Sequence, residues 1–153
     1  MDAHEITPGL WQGSFPPLGN AVRQGGFDLL VLCARELQQP SIDFHNVAVI
    51  HAPNDDSEAY GPLTREKLRV AIRAARKVAK AVKRGEQVLV TCALGMNRSG
   101  LVSALALHLL YGWPGGQCLK WVRKHRPTKG RCPPLSNPDF IEALLRLSGG
   151  SST

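Results

Sequence analysis

The chain has 153 residues, of which 43% are hydrophobic and 20% are charged, a composition typical of one globular domain. Its longest apolar run, from Leu101 to Leu110, is only about ten residues long, which excludes a membrane-spanning helix. The net charge is +7, and the segments 65–84 and 120–131 hold nine and six of the 19 Lys and Arg residues.

Such a distribution of charge attracts anions: phosphorylated substrates, nucleic acid or acidic membranes. The alternative is that these cations serve only to keep two helices soluble. The first ten residues lack the charged and apolar regions of a secretory signal, so we expect a cytoplasmic protein. Its four cysteines are then expected to be thiols: Cys33, Cys92, Cys118 and Cys132.

Strand-like and helix-like segments alternate along the chain. The expected strands are a short opening strand and turn in 6–14, followed by strands in 27–34, 46–52 and 87–91. The expected helices are 61–85, with Thr64 as N-cap and Gly85 after its end, 99–112, 115–126 and 137–147. This order predicts an α/β fold whose central, mostly parallel twisted sheet is flanked by helices. We expect one domain over 1–148 and a flexible tail over 149–153.

The stretch VTCALGMNRSG joins the last expected strand to an apolar helix. A strand–loop–helix unit gathers backbone N–H groups at a helix N-terminus, where they bind anions. Gly95 permits a tight turn that aims these amides inward, and Gly100 would let the helix approach the sheet closely. The sequence therefore predicts a phosphate-binding loop between a central strand and a buried helix.

Two residues of this loop suggest chemistry. Arg98 offers a planar pair of donors that matches two phosphate oxygens. Cys92 lies at the floor of the loop, where amides and a cation favour the nucleophilic thiolate. Ser99 can hydrogen-bond the sulfur when it leaves. The alternative is that Cys92 is a buried core thiol and Arg98 a surface cation. A bare Cys-x5-Arg spacing would fit this alternative, whereas the whole stretch fits the phosphate-binding loop better.

A phosphatase of this type also needs an acid for the leaving alcohol. The segment APNDDSEAYGP follows an expected strand and offers Asp55, Asp56 and Glu58. Parallel strands end at the same sheet edge, so this loop is expected to face Cys92. Paired Asp residues in loops are otherwise turn or cap residues.

Taken together, these stretches resemble the dual-specificity branch of the cysteine-dependent protein tyrosine phosphatases. ITPGLWQGS resembles the opening strand of that family, APNDDSEAY its acid loop, VLVTCALGMNRSG its phosphate signature and SNPDFIEALL its closing helix. The resemblance implies a phosphocysteine mechanism that needs no metal and no cofactor, acting on phosphotyrosine and also on phosphoserine or phosphothreonine in proteins. We expect a monomer.

The resemblance also implies roles for individual residues. Cys92 would be the nucleophile, Arg98 the phosphate clamp and Ser99 the hydroxyl that assists hydrolysis. Asp56 would be the general acid, with Asp55 as the alternative. The phosphate would be held by backbone amides of the loop: Ala93, Leu94, Gly95, Met96, Asn97 and Arg98.

Departures from the family pattern leave alternatives open. Thr91 stands where the family usually has His, so the thiolate is either less activated or held by the Thr hydroxyl. The loop has no lysine, unlike phosphoinositide phosphatases of the superfamily, which makes an inositol lipid a less favoured substrate. GMNRSG also resembles the loop of RNA 5′-triphosphatases, which makes RNA an alternative substrate. A weakly active module that binds phosphorylated partners is a third reading.

Cys33 ends a strand 59 residues before Cys92. In this it resembles the phosphatases of regenerating liver, where the strand cysteine forms a protective disulfide with the nucleophile. The alternative is a buried core thiol.

Overall fold

The computed structural model describes residues 1–56 and 61–150. Within them the sheet strands are β1 (Ala3–Thr7), β2 (Leu10–Gly13), β3 (Leu29–Ala34), β4 (Ala48–Asn54) and β5 (Val88–Thr91). The α-helices are α1 (Ala21–Gln24), α2 (Arg65–Lys83), α3 (Arg98–Tyr111), α4 (Gly115–His125) and α5 (Pro138–Leu145), and Ser41–Asp43 form a 3-10 turn. Glu58, one of the acids that the sequence offers, lies outside the described residues, as do residues 151–153 of the expected tail.

The sheet has the order β1-β2-β5-β3-β4, with β5 in the middle. The pairs β2–β5, β5–β3 and β3–β4 are parallel, and only β1 runs antiparallel to its neighbour β2. The predicted α/β fold with a mostly parallel sheet is confirmed. Because the four parallel strands point the same way, the loops after β5, β3 and β4 open at one edge of the sheet.

The prediction of one opening strand is wrong. Residues 6–14 contribute to two strands, β1 and β2, which pair as a hairpin whose turn contains Pro8 and Gly9. Gly9 has a φ of +88°, which a residue with a side chain rarely adopts. The Pro-Gly pair is itself a turn signal, and the strand before it, AHEIT, has too few apolar residues to be recognised by periodicity.

Each face of the sheet buries a hydrophobic cluster. On one face α2, α3, α4 and α5 cover alternate residues of the strands, such as Val31 and Val90. On the other face Leu30, Leu32 and Leu89 pack with residues of α1 and the loops around the 3-10 turn. α3 is buried over nearly all of its first three turns, as its uninterrupted apolar sequence predicts. The helix that follows Cys92 is therefore held rigidly between the sheet and its neighbouring helices.

The predicted ends of α2 are confirmed. The Thr64 hydroxyl accepts a hydrogen bond from the Lys67 amide at 3.2 Å, and Gly85 follows the helix with a φ of +86°. No helix in residues 1–56 and 61–150 is long and apolar enough to span a bilayer.

Candidate active site

The loop from Cys92 to Arg98 connects the central strand β5 to the buried helix α3, at the edge where the parallel strands end. All of its backbone carbonyls from residue 93 to residue 97 accept hydrogen bonds from groups outside the cradle. The donors are Phe15 N to Ala93 at 3.3 Å, Arg126 Nη2 to Leu94 at 2.9 Å, Gln12 Nε2 and Arg126 Nε to Gly95 at 2.9 Å each, Leu135 N to Met96 at 3.1 Å and Leu101 N to Asn97 at 2.8 Å. The carbonyls therefore face away from the centre of the loop.

The backbone N–H groups of the same loop differ from its carbonyls in their hydrogen bonding. None of the N–H groups from Ala93 to Arg98 donates a hydrogen bond to another residue that the structure describes. Free amides at the start of a buried helix attract an anion, because their dipoles add to that of the helix. The loop is therefore shaped as an oxyanion cradle.

Gly95 is required by the shape of this cradle. Its φ is +73°, and a Cβ there would collide with the Gly13 backbone and with Arg126. The tight turn that the sequence predicts at Gly95 is confirmed. A Cβ at Gly100 would lie 3.4 Å from Gln12 Nε2 of the strand β2 and 2.9 Å from Leu135 Cγ in the loop before α5. The glycine therefore admits the sheet residue, as predicted, and a loop residue that the sequence did not indicate.

Cys92 lies at the floor of the cradle and is only 3% exposed. Its Sγ is 3.3 Å from the Ser99 hydroxyl, the contact that the sequence predicts. The suggestion that Thr91 holds the thiolate is wrong, because its hydroxyl donates to the Val31 carbonyl of β3 at 2.9 Å. Thr91 therefore stabilises the sheet.

Arg98 is 8% exposed and is held by a residue that sequence reasoning missed. Glu36, in the loop after β3, accepts two hydrogen bonds of 2.7 Å, from Nη1 and from Nη2, and Nη1 also donates to the Asn54 carbonyl at 3.1 Å. The hydrogen bonds from Arg98 hold the pKa of Glu36 below its usual value. The only sequence signal for Glu36 is its place just after a parallel strand.

The Nε atom of Arg98 is buried and has no hydrogen-bond partner among the described residues. Because Glu36 occupies the Nη1–Nη2 end of the guanidinium, the side formed by Nε and the second hydrogen of Nη2 is left for a ligand. A pair of parallel N–H groups on this side matches two oxygens of a phosphate. A buried donor without a partner is costly, which is a reason to expect a ligand at this atom.

The two aspartates of the acid loop have different surroundings. Asp55 forms ion pairs with Arg35 at 3.0 Å and with Lys67 at 3.4 Å. Asp56 instead contacts the cradle, since its Oδ2 accepts a hydrogen bond from Asn97 Nδ2 at 3.1 Å. The expected approach of this loop to the loop at Cys92 is found, and it brings Asp56 to the cradle.

A loop before α5 holds the same contact in place. Asn137 Nδ2 donates to Asp56 Oδ1 at 3.0 Å and to the Asp56 carbonyl at 2.7 Å. Asn97 Oδ1 accepts from the amides of Ser136 at 2.8 Å and of Asn137 at 3.0 Å. Asn137 is also the N-cap of α5, so one residue connects that helix to the acid loop.

Arg126 supports the outer side of the cradle and was also missed by sequence reasoning. It is fully buried, forms a two-pronged ion pair with Asp2 at 2.8 and 2.9 Å, and binds the Leu94 and Gly95 carbonyls. In the sequence, Arg126 is one of six Lys and Arg residues in the segment 120–131, and no sequence feature distinguishes it from the exposed ones.

Cys33 lies beside the site. Leu32 of β3 is paired with Thr91 of β5 in the parallel sheet. The next residue of each chain segment is a cysteine, so Cys33 and Cys92 are neighbours. Burial raises the pKa of Cys33 well above its usual value, and the nearby Cys92 adds to this shift. Both cysteines are free thiols, and a disulfide between them stays a prediction. Within residues 1–56 and 61–150, no group of three His, Cys, Asp or Glu side chains is placed to hold a metal ion.

Comparisons with known proteins bear on the fold. No family model and no curated protein matches the sequence. Among solved structures, Tk-PTP in its active form is similar over 94% of this chain and 93% of its own, with 24% identity and a TM-score of 0.73. Human DUSP28 is similar over 94% and 90%, with 24% identity and a TM-score of 0.69. PTPMT1 in complex with PI(5)P is similar over 94% and 92%, with 20% identity and a TM-score of 0.70. The chain therefore has the fold of the dual-specificity phosphatases.

Proposed function

We propose that this protein hydrolyses phosphate monoesters through a covalent phosphocysteine on Cys92. The observation that carries the proposal is the cradle itself: outward carbonyls and free inward amides surround a buried sulfur, beside an arginine with one unused pair of donors. Such a site binds a doubly charged tetrahedral group and places its phosphorus above the sulfur.

The first step transfers the phosphoryl group to the protein. Cys92 Sγ, as the thiolate, forms a bond to phosphorus while the bond to the alcohol oxygen breaks, and Asp56 gives its proton to that oxygen. The amides of 93–98 and Arg98 hold the three equatorial oxygens throughout. Glu36 keeps the guanidinium in the orientation that this contact needs.

The second step releases inorganic phosphate. Asp56, now ionised, takes a proton from a water whose oxygen bonds to phosphorus, and the S–P bond breaks. The sulfur leaves as a thiolate, which the Ser99 hydroxyl at 3.3 Å stabilises with a hydrogen bond. The cycle consumes one water and regenerates both Cys92 and the protonated Asp56.

We propose phosphorylated proteins as the substrates, with phosphotyrosine first and phosphoserine or phosphothreonine after it. The fold shared with dual-specificity phosphatases supports this choice. PTPMT1 in complex with PI(5)P has the same fold, but in this chain Arg98 is the only charged residue among residues 92–98. Because the loop contains no further cation, an inositol phosphate is a less favoured substrate.

A second candidate reaction is removal of phosphate from the 5′ end of triphosphate RNA by the same chemistry. A specific observation favours it: α2, which carries eight Lys and Arg residues and one acid, is joined to the cradle through Asn54, whose side chain donates to the Lys67 carbonyl at 2.9 Å and whose carbonyl accepts from Arg98 at 3.1 Å. A chain of several phosphates carries more charge than one monoester, and cations beside the cradle would balance it.

The test is turnover of para-nitrophenyl phosphate in the presence of a metal chelator, by the native protein and by Cys92→Ser. We expect hydrolysis by the native protein and a loss of at least about 10³-fold in the variant, because a serine hydroxyl stays protonated at neutral pH and attacks phosphorus far more slowly than a thiolate does. Turnover that persists in Cys92→Ser would rule out the mechanism. Phosphotyrosine peptide, phosphoserine peptide and triphosphate RNA, assayed in parallel, then separate the two candidate substrates.

A further inference from the structure

The exposed side of α2 carries a dense array of positive charge. We call it the cationic face, and it consists of Arg65, Arg69, Arg73, Arg76, Lys77, Lys80 and Lys83. All seven side chains belong to exposed residues, whereas the opposite side of the helix packs its alanines and Val78 into the core. Glu66 is the one acid that the helix contains.

The geometry of a helix brings these seven cations into one stripe. At about 100° per residue they fall within roughly 120° of the helix circumference, and at 1.5 Å per residue they extend over about 27 Å. None of them forms an ion pair with a residue in the described part of the chain. Exposed cations of a folded surface commonly alternate with acids, whereas in this arc of the helix Glu66 is the one carboxylate against seven cations. The stripe therefore carries a large excess of positive charge, which a partner can use.

We propose that the cationic face binds the phosphodiester backbone of RNA. The seven cations extend over about 27 Å of the helix axis, a length that about eight stacked nucleotides of one strand cover at about 3.4 Å each, so the numbers of positive and negative charges are similar. Four of the seven are arginines, whose planar donors match phosphate oxygens in pairs. Since the face has no aromatic residue on which bases could stack, it recognises charge and not sequence.

Two other polyanions fit the face less well. A membrane surface is usually bound by a basic helix that also inserts apolar side chains, and none of the large exposed hydrophobic residues in the described part of the chain lies on α2. An acidic protein segment needs a run of consecutive carboxylates to match seven cations, whereas every nucleotide of RNA carries a phosphate. RNA is therefore the partner that the face matches along its whole length.

The face begins near the cradle. Lys67, one turn into α2, has its carbonyl bound by Asn54 Nδ2 at 2.9 Å, and the carbonyl of Asn54 binds Arg98. An RNA on the cationic face would thus have one end close to the loop at Cys92. Its binding nevertheless needs neither Cys92 nor Arg98, so this proposal goes beyond the hydrolysis proposed above and does not depend on it.

The experiment measures binding of a fluorescein-labelled RNA of about twelve nucleotides with a 5′-hydroxyl, by anisotropy, at several salt concentrations. The lack of a terminal phosphate removes the cradle from the measurement. In Arg73→Ala/Arg76→Ala/Lys80→Ala we expect the dissociation constant to rise at least about tenfold at low salt, because three phosphate contacts are lost. The slope of log K against log salt should fall in magnitude by about 2, at roughly 0.7 per contact with a single strand.

The matched control removes the same charge elsewhere, with Lys120→Ala/Lys124→Ala/Arg131→Ala, and should change binding less than about threefold. Both triple variants should keep native turnover of para-nitrophenyl phosphate. Equal weakening in both, no binding of RNA by the native protein, or tighter α2-dependent binding of phosphatidylserine vesicles or of a poly-glutamate peptide would each overturn the proposal. Binding as expected in a protein that hydrolyses nothing would contradict only the proposed function.

Discussion

At the scale of single residues, chemically similar side chains in the candidate site differ in the residues that they contact. Asp55 and Asp56 are adjacent and chemically identical, yet one is held by Arg35 and Lys67 and the other by Asn97 and Asn137. The two asparagines fix the carboxylate of Asp56 at the cradle before any substrate binds. In the reaction proposed above, such preorganisation would avoid the cost of ordering the general acid.

The first prediction distinguishes the two acids. Asp56→Asn should lower kcat by roughly 10²–10⁴-fold with a poor leaving group such as a phenyl phosphate, because the departing oxygen then receives no proton. With a good leaving group the loss should be much smaller. Kinetics over a series of aryl phosphates with different phenol pKa values measure this dependence.

Asp55→Asn is the matched control. It should change the leaving-group dependence little and should act instead on thermal stability, since it removes two ion pairs that hold the acid loop to the loop after β3 and to α2. A steeper leaving-group dependence in Asp55→Asn than in Asp56→Asn would reverse the assignment.

At the scale of elements, the helices on one face of the sheet are packed closely enough that single glycines decide their distance. Gly115 begins α4, and a Cβ there would overlap the backbone carbonyl of Leu144 in α5. α4 leads into Arg126, which supports the cradle, and α5 begins beyond Asn137, which holds Asp56. The contact between α4 and α5 therefore helps to position both Arg126 and Asn137.

The second prediction concerns this contact. Gly115→Ala should lower the free energy of unfolding by about 1–3 kcal/mol, because the helices must move apart to admit a methyl group. Urea denaturation followed by circular dichroism measures the change. Gly116→Ala is the control: the nearest atom to its Cβ would be Leu145 Cδ2 at 3.5 Å, an ordinary contact, so the better helix former should be neutral or slightly stabilising. Equal effects of the two substitutions would show that the close approach of α4 and α5 is unimportant.

At the scale of the whole molecule, the residue before the first strand is bound to a segment more than 120 residues later. Asp2 accepts hydrogen bonds from Arg126 and Lys129, and both of these cations also bind cradle carbonyls. The hydrogen bond from Arg126 is the main reason why the pKa of Asp2 is well below its usual value, against the opposing effect of burial. The N-terminus and the segment after α4 therefore meet on the outer side of the Cys92–Arg98 loop.

The third prediction is a dependence of stability on pH. A carboxyl whose pKa is lower in the folded state stabilises the fold above its unfolded pKa, close to 3.8, and this stabilisation is lost as the pH falls towards the folded pKa. Asp2→Asn should therefore be less stable than the native protein at pH 7, and the difference should shrink between about pH 4 and pH 2. Urea midpoints measured at a series of pH values follow this change.

Asp43→Asn serves as the control for this series, since it removes a carboxylate that forms no ion pair with a described residue. A difference between Asp2→Asn and the native protein that is constant with pH would contradict the role of the Asp2 carboxylate.

The sequence by itself determined the features that depend on local pattern. Apolar runs located β3, β4 and β5, the Thr64 cap and Gly85 located the ends of α2, and Cys92, Gly95, Arg98 and Ser99 came from one continuous stretch. Such residues could be predicted because backbone geometry and near neighbours in the chain dictate their roles.

Only the tertiary structure decided which distant groups complete the site. Glu36 lies 62 residues from Arg98, and Arg126 lies 31 residues from Gly95. In the sequence each is one charged residue among many, because the partner that gives it a role is brought near only by the packing of separate elements. The same holds for the different surroundings of Asp55 and Asp56, which depend on where the partners of each meet in space: Asn97, Asn137, Arg35 and Lys67.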